Sequence, residues 1–383
     1  MAPFTFNTTP SLRMGAGLVR QLGDIVRPVC GDTILLVTDP GMVATGLVAQ
    51  ILVNLHTAGL AVTVFDQVQA DPPESVILKA AEMARDATGV VGFGGGSSLD
   101  VAKLAALLGA SGQPLAEAYG IGNAKGPRLP LILVPTTAGT GSEVTPISIV
   151  TTGTSEKMGV VSSLILPDLA VLDPELTLGL PAHVTAATGI DAMVHAIEAY
   201  SSVNPNNNPI SRALAVEALR LMSHVLHRAV HTPRDIEARS DMLLGSMLAG
   251  QAFANSPVAA VHALAYPIGG HYKVPHGLSN ALVLPHVLRY NAEVAPQAYA
   301  ELLPHVFPEV SASGVEDAAR KFVESIAALS RACGLQQNLR DMGIPKEALP
   351  KLAQDAMNQT RLLVNNPRPL DEAAALQIYE AAW

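Results

Sequence analysis

Residues 89–103 read GVVGFGGGSSLDVAK, a short apolar run that passes through glycines into a helical pattern. Glycines between a strand and a helix let the backbone approach a ligand closely. The first N–H groups of the helix and the positive end of its dipole then suit a phosphate. Ser97 and Ser98 can cap this helix, with Asp100 in its first turn. The stretch predicts a strand–turn–helix unit that either binds a nucleotide or is simply a tight capped turn.

Short β-branched runs alternate with helical patterns on both sides of this stretch. The runs resemble buried strands and fall at residues 33–38, 61–65, 89–93 and 131–134. Helical patterns lie between them, for example at residues 73–86 and 99–108, and residues 147–172 are strand-like and rich in turns. Apolar strands that alternate with helices are typical of a mostly parallel sheet covered by helices. The first part of the chain is therefore predicted to be an α/β domain.

The character of the sequence changes after Pro181. From there to Trp383, segments rich in Ala, Leu and Met recur at helical spacing, with breakers at residues 204–209 and 365–369. No stretch in this half resembles a buried strand. We therefore predict two domains, an α/β domain over residues 1–182 and an all-α domain over residues 183–383.

Composition narrows the class of protein. Of the 383 residues, 49% are hydrophobic and 15% charged, which excludes a disordered chain. The formal net charge of −9 argues against nucleic acid as a partner. Polar residues and prolines interrupt the longest charge-free stretch, so no membrane span is expected. Two isolated cysteines, Cys30 and Cys333, and an N-terminus without a secretory signal favour a cytoplasmic protein with reduced thiols.

A second glycine turn follows the run at residues 131–134. Residues 135–145 read PTTAGTGSEVT, and both turns come after strands of one predicted sheet, where α/β proteins bind nucleotides. Threonine hydroxyls and backbone N–H groups there could hold a pyrophosphate or a ribose. Asp39 ends an earlier strand, where an acid can accept a hydrogen bond from an adenosine ribose. Taken by itself, however, an Asp followed by Pro40 and Gly41 more often initiates a simple turn.

One helical motif supplies a possible pair of metal ligands. Residues 189–200 read GIDAMVHAIEAY, which places Asp191 and His195 four residues apart on one helix face. The neighbouring residues are apolar, and burying two polar groups without a partner is costly. A shared divalent ion would satisfy both side chains.

A second motif supplies two more possible metal ligands. Residues 262–277 read HALAYPIGGHYKVPHG and contain His262 and His276. Four helix breakers lie between these histidines: Pro267, Gly269, Gly270 and Pro275. They are predicted to interrupt the helix, so that the chain turns back and brings the two imidazoles together. With Asp191 and His195 they would form a set of three nitrogens and one oxygen that suits Fe²⁺ or Zn²⁺.

A rival histidine cluster also follows helical spacing. His224, His227 and His231 share one stripe, next to Arg228 and Arg234. Cationic and polar side chains toward the end of a helix suit its dipole. We interpret this cluster as a solvated helix face.

The four motifs stand in order along one chain, and together they resemble the iron-containing (group III) alcohol dehydrogenase family. The resemblance runs from about residue 10 to the C-terminus. It implies an α/β N-terminal dinucleotide-binding domain and an all-α C-terminal domain, the architecture shared with dehydroquinate synthase. It also implies NAD and a divalent metal as cofactors (Fe²⁺ first, Zn²⁺ as an alternative), a small alcohol or aldehyde as substrate, and a homodimer.

The resemblance also assigns individual residues. The pyrophosphate turn corresponds to Gly95, Gly96, Ser97 and Asp100, and the second cofactor turn to Thr136, Thr137 and Thr140. Lys157 in SEKMG resembles a lysine near the cofactor ribose, and Asp39 matches an acid that favours NAD over NADP. The metal positions Asp191, His195, His262 and His276 are all intact.

The sequence departs from the family at one position. Many members carry a further histidine four residues after the third metal ligand, proposed to relay a proton, and here that position is Tyr266. An imidazole with a pKa near 6.5 carries protons at neutral pH far better than a phenol near 10. His271 could take over this role, or serve only as a loop histidine.

The predicted reaction is hydride transfer between a small alcohol, or its aldehyde or ketone, and NAD(H), with the metal as Lewis acid. A metal-dependent lyase of the dehydroquinate synthase type would use the same cofactor but needs a basic pocket. A hydroxyacid–oxoacid transhydrogenase would keep its cofactor bound. A protein that only binds metal or nucleotide is the remaining, non-enzymatic alternative.

Overall fold

The computed structural model describes residues 2–153 and 156–383. By its contacts the chain separates into two compact units, residues 7–178 on one hand and residues 1–6 with 179–383 on the other. The N-terminal segment is tied to the second unit, since the backbone N–H of Thr5 donates to Oδ1 of Asn206 at 2.8 Å.

The first unit contains a six-stranded, entirely parallel sheet in the order β1-β9-β6-β4-β2-β3, and a three-stranded sheet in the order β5-β8-β7. In chain order the strands are β1 (Leu12–Met14), β2 (Thr33–Val37), β3 (Ala61–Phe65), β4 (Gly89–Gly94), β5 (Gly120–Ile121), β6 (Leu131–Pro135), β7 (Ile147–Thr152), β8 (Glu156–Val161) and β9 (Leu169–Leu172). The predicted parallel sheet is confirmed, with each predicted strand within one residue of its observed bounds.

Helices cover both faces of the larger sheet. They are α1 (Leu22–Cys30), α2 (Pro40–Ala44), α3 (Leu47–Thr57), α4 (Glu74–Ala84), α5 (Gly96–Ser111) and α6 (Leu115–Ala118). Alternate residues of β2 enter opposite cores. Leu35 packs in the cluster that contains Ile77 of α4, whereas Leu36 packs in the one that contains Ile25 of α1. Burial on both sides explains why these strands are apolar without interruption.

The second unit is all helical. Its helices are α7 (Ala182–Ser201), α8 (Pro209–His231), α9 (Ile236–Asn255), α10 (Ala260–Tyr272), α11 (His276–Ala292), α12 (Pro296–Val306), α13 (Val315–Ala332), α14 (Leu349–Ala356), α15 (Thr360–Leu363) and α16 (Glu372–Ala382). An α/β part followed by an all-α part is the predicted fold class. None of the helices among the described residues is long and apolar enough to cross a membrane.

The predicted break after His262 is wrong in its position. Helix α10 runs through Pro267, Gly269 and Gly270, and the chain turns only at Lys273, whose φ of 56° is left-handed. Pro267 and its neighbour Ile268 are buried, so tertiary packing stabilises the helix across the missing N–H. The turn still directs the chain into α11, which begins at His276.

Both cysteines are free, as the sequence predicts, and both are buried. Burial raises the pKa of the Cys30 thiol to about 12 and that of Cys333 to about 11. Neither thiol is a nucleophile at neutral pH, because only the thiolate reacts.

Candidate metal centre and cofactor turns

Three adjacent strands bring the predicted cofactor residues to one edge of the parallel sheet. Strand β4 pairs with β2 on one side and with β6 on the other, all in parallel. Their carboxyl ends therefore meet at the same edge, where Asp39 follows β2 and the two glycine turns follow β4 and β6. This is the edge at which α/β sheets bind nucleotides.

The two glycine turns pack directly against each other. Thr136 donates its backbone N–H to the carbonyl of Gly94 at 3.0 Å. A Cβ placed on Gly96 would lie 2.7 Å from Cγ2 of Thr140, so a side chain larger than hydrogen does not fit. A Cβ on Gly95 would lie 3.8 Å from the Thr137 side chain, which places that threonine alongside the turn.

Helix α5 starts with its first N–H groups uncapped by a side chain. Its N-cap residue is Gly95, so the expectation that Ser97 or Ser98 caps the helix is wrong. Because α5 begins at Gly96, both serines already lie inside its first turn, and Ser98 instead donates to Oδ2 of Asp39 at 3.1 Å. Uncapped N–H groups at the start of a 16-residue helix suit a phosphate.

Asp39 also holds the start of the next helix. Its Oδ1 accepts the backbone N–H of Met42 at 3.0 Å, which caps α2. The simple turn role considered from the sequence is therefore present. The helix cap uses Oδ1 of Asp39, while Oδ2 accepts the hydrogen bond from Ser98.

Asp100 lies within a buried polar network that joins the two turns. Its Oδ1 accepts the Ser142 hydroxyl at 2.6 Å, and its Oδ2 accepts the backbone N–H of Ile149 at 2.9 Å. The fully buried Lys103 donates to the Ser142 hydroxyl at 2.8 Å and to the Ile147 carbonyl at 2.7 Å. The carboxylate thus supports the second turn through protein contacts. Sequence reasoning missed Lys103, although it lies at i+3 from Asp100.

Lys157 is paired with an acid. It lies on β8, where its Nζ is 2.6 Å from Oδ1 of Asp71 and 2.9 Å from the Thr151 hydroxyl. Ser155, which begins the SEKMG motif, lies outside the described residues.

The second unit brings three of the four predicted metal ligands into one buried cluster. Asp191 and His195 project from α7 and His262 from α10, and one candidate ligand atom from each lies within 4.8 Å of the other two. The His195 ring stacks on His262 at 4.8 Å between centroids and on Phe253 of α9 at 4.4 Å. Phe253, which sequence reasoning missed, covers one face of the His195 ring.

His276 lies at the margin of this cluster. Its Nε2 is 3.8 Å from Oδ1 of Asp191, and its side chain is 44% exposed. Its position depends on close contact between α11 and α7, because a Cβ on Gly277 would lie 2.4 Å from the carbonyl oxygen of Ala187. Asn280, one turn after His276, donates from Nδ2 to Oδ1 of Asp191 at 2.5 Å. The i+4 spacing from His276 is the signal that could have revealed Asn280.

The chemistry of these atoms fits a cation. Burial acts to raise the pKa of Asp191, but the three imidazoles and Asn280 outweigh it and lower that pKa. The buried Nε2 of His262 has no hydrogen-bond partner among the described residues, and it lies 4.0 Å from Oδ1 of Asp191. That distance is too long for a hydrogen bond and below the sum of two metal–ligand bonds of about 2.1 Å, so one ion can contact both atoms.

The two predicted relay residues lie in different surroundings. The Tyr266 ring is 5.8 Å from the His276 ring, whereas Nε2 of His271 is 2.7 Å from Oδ2 of Asp355 on α14. His271 follows His262 by nine residues, about two and a half turns, and so projects from the opposite side of α10. Burial raises the pKa of Tyr266, although Arg361 next to it acts to lower that pKa. The structure thus brings Tyr266, but not His271, to the cluster.

The rival histidines form no such group. His224, His227 and His231 are exposed on α8, and the first and third contact the carbonyls of Arg220 at 2.6 Å and Ala332 at 2.9 Å. This agrees with a solvated helix face.

The sheet carries two glycine turns at its carboxyl edge, and the helices hold a buried group of Asp191, His195 and His262 with His276 at its margin. This combination is typical of a metal-using oxidoreductase of the dinucleotide-dependent class. The family model described as iron-containing alcohol dehydrogenase matches residues 9–174, and the C-terminal model of the same family matches residues 185–383. The chain therefore belongs to the iron-containing alcohol dehydrogenase family, and the resemblance noted in its motifs is confirmed.

Individual relatives cover the whole chain. Long-chain-alcohol dehydrogenase 1 of Geobacillus thermodenitrificans is 43% identical over 98% of this chain and 95% of its own length. The crystal structure of a 1,3-propanediol oxidoreductase superposes with a TM-score of 0.95 at 35% identity and covers 100% of both chains. Sulfoacetaldehyde reductase from Bifidobacterium kashiwanohense, solved with NAD⁺, has a TM-score of 0.87 at 29% identity and covers 100% of this chain and 99% of its own.

Proposed function

We propose that the protein oxidises a small alcohol with NAD⁺, and reduces the matching aldehyde or ketone with NADH, at a divalent metal held by Asp191, His195, His262 and His276. The observation that carries this proposal is the buried cluster of Asp191, His195 and His262, whose candidate ligand atoms lie within 4.8 Å of one another. Membership of the iron-containing alcohol dehydrogenase family supports it.

The metal ligands come from three helices. Three imidazoles and one carboxylate suit Fe²⁺ first, with Zn²⁺ as an alternative. A divalent ion bound there supplies a Lewis acid for the substrate oxygen. Phe253 covers one face of His195, and the burial of Asp191, His195 and His262 strengthens electrostatic interactions among them.

The cofactor residues are assigned to the carboxyl edge of the parallel sheet. The N–H groups at Gly95, Gly96 and Ser97 bind the pyrophosphate of NAD. Thr136, Thr137 and Thr140 line the second turn, with Asp100 holding that turn in place through Ser142. Asp39 accepts from the adenosine ribose, and Lys157 lies near the other ribose.

Proton transfer is assigned to the vicinity of Tyr266. Burial raises the pKa of its phenol, so Oη keeps its proton at neutral pH and does not act as a base. His271, paired with Asp355 on the opposite side of α10, is the weaker candidate. We further propose that the protein is a cytoplasmic homodimer.

The decisive experiment is a matrix of metals and substrates. Protein stripped of metal and reloaded with Fe²⁺, Zn²⁺, Co²⁺ or Ni²⁺ would be assayed with NAD⁺ or NADP⁺ against primary alcohols of increasing length. We expect oxidation that depends on the metal and prefers NAD⁺. Equal turnover by the metal-free protein would contradict the proposal.

A further inference from the structure

Glu198 is a buried carboxylate of α7 that lies behind one of the candidate metal ligands. Its Oε2 is 2.6 Å from Nδ1 of His262, and its Oε1 accepts the backbone N–H of Val261 at 2.6 Å. The residue is 3% exposed. None of the roles assigned above uses this side chain.

We propose that Glu198 is a positioning residue that fixes the tautomer and orientation of His262 for metal binding, an inference that rests on the proposed metal centre. Glu198 already accepts the Val261 N–H through Oε1, and a carboxylate that also accepts at Oε2 places the hydrogen of His262 on Nδ1 across the 2.6 Å contact. The lone pair is then on Nε2, the atom that lies toward Asp191 and has no hydrogen-bond partner among the described residues. A carboxylate that holds a ligand histidine in this way also makes the imidazole more basic, so it donates its electron pair to the metal more strongly.

Glu198 orients the backbone as well as the ring. Val261 lies in the first turn of α10, whose N-cap residue Ala259 makes no side-chain hydrogen bond. The first N–H groups of a helix have no partner within the helix, and an acid beside them is stabilising. One carboxylate therefore fixes both the start of α10 and the ring of the next residue, His262.

The spacing along α7 explains how one helix does this. Asp191, His195 and Glu198 stand at i, i+4 and i+7, which places them on one stripe of the helix. The first two contribute candidate ligand atoms directly, and the third supports a ligand from another helix. The sequence DAMVHAIE over residues 191–198 contains this signal.

The charge balance of the site changes with this assignment. Asp191 and Glu198 are both buried, and among the described residues their ion-pair contacts are to histidines only. Two buried carboxylates without a Lys or Arg partner are costly unless a cation joins them. A divalent ion would balance two negative charges instead of one, and this favours tight retention of the metal.

The test compares Glu198→Gln with Glu198→Asp in the full chain. Gln keeps the size but can accept only one of the two N–H groups, because its NH₂ faces the other. Asp keeps the charge on a shorter side chain. The dissociation constant of Co²⁺ would be measured by chelator competition, together with the visible spectrum of the bound ion. We expect Glu198→Gln to weaken Co²⁺ binding about 10–100-fold and Glu198→Asp to lose less. Glu143→Gln, which changes a buried acid of the first unit, should leave binding unchanged.

A second readout does not depend on metal or activity. In the metal-free wild type, ¹⁵N NMR at pH 8 should show His262 with its hydrogen on Nδ1, and Glu198→Gln should shift it toward Nε2. An Nε2–H tautomer in the wild type, or Co²⁺ affinity in Glu198→Gln equal to that of the wild type, would overturn the role of Glu198 alone. A wild type that binds no divalent metal would instead overturn the metal centre itself, and this inference with it.

Discussion

The hydroxyl of Ser98 donates to Oδ2 of Asp39 at 3.1 Å and so joins the first turn of α5 to the end of β2. The same carboxylate caps α2 through Met42. Asp39 therefore has a structural role beside the proposed cofactor role, and a substitution that tests the second must preserve the first.

Asp39→Asn meets that requirement, because Asn caps helices about as well as Asp. Loss of the charge should relieve repulsion of the NADP 2′-phosphate, and we expect the ratio of kcat/KM for NADP to that for NAD to rise about 10–100-fold. Steady-state kinetics with both cofactors measure this ratio. Asp39→Gly, which also removes the cap, is the comparison variant and should lose stability as well. A wild type that already prefers NADP would contradict the argument from charge.

His262→Ala and His276→Ala should each abolish stoichiometric metal binding while the fold survives. Elemental analysis of purified protein and the circular dichroism spectrum measure the two effects. The matched control is the triple Ala variant of His224, His227 and His231, whose exposed side chains on α8 should not affect metal content. Full metal content in both single variants, or its loss in the control, would reverse the assignment.

Gly277→Ala should weaken the metal site without touching a ligand. Its Cβ would lie 2.4 Å from the carbonyl oxygen of Ala187, so α11 must move away from α7 and carry His276 with it. We expect a loss of unfolding free energy of about 1–3 kcal/mol and weaker Co²⁺ binding. Gly270→Ala is the control, since apart from its chain neighbours and the backbone of its own helix no atom of the described residues lies within 4 Å of its added Cβ. Equal metal affinity in the two variants would exclude this effect.

Tyr266→His should raise the rate of alcohol oxidation near neutral pH. An imidazole exchanges its proton there, whereas the pKa of a phenol lies well above that range and burial raises the pKa of Tyr266 further. The gain should stay below the roughly 10²–10⁴-fold of a general acid–base group, because water and the ribose can also carry the proton. His271→Ala should change kcat/KM less than twofold. An increased solvent isotope effect in His271→Ala would instead indicate that His271 relays the proton.

Glu143→Gln tests the pH dependence of stability. Burial, only partly offset by backbone hydrogen bonding and Lys103, raises the pKa of Glu143 from 4.5 to about 7. Between these values the folded chain binds more protons than the unfolded one, so this group makes stability fall as pH rises. The variant should remove that slope and be more stable than the wild type at pH 8, by up to about 3 kcal/mol. Denaturant unfolding at pH 5 and pH 8 measures the unfolding free energy of both proteins. The same change between the two pH values in the wild type and the variant would contradict the prediction.

Several features were predictable from the sequence because they depend on local pattern. Uninterrupted apolar strands such as β4 and the helical spacing of Asp191 and His195 are examples. The break in α10 was misplaced because buried packing around Pro267 keeps the helix intact, and only Lys273, in a conformation that favours glycine, ends it. Asp100 was assigned to the cofactor because nothing in its spacing shows that Ser142 and Ile149 occupy its carboxylate.

The candidate ligands stand on α7, α10 and α11, and the first and last are separated by a long stretch of chain that includes two further helices. An ion that joins them closes this loop much as a disulfide would, and the entropy lost by the unfolded chain increases with loop length. Since the separated side chains of an unfolded chain bind such an ion poorly, the metal acts as a ligand of the native state. At a free concentration 100 times its dissociation constant, it adds about 2.7 kcal/mol to the unfolding free energy. The melting temperature of this protein should therefore report the supply of metal in its surroundings.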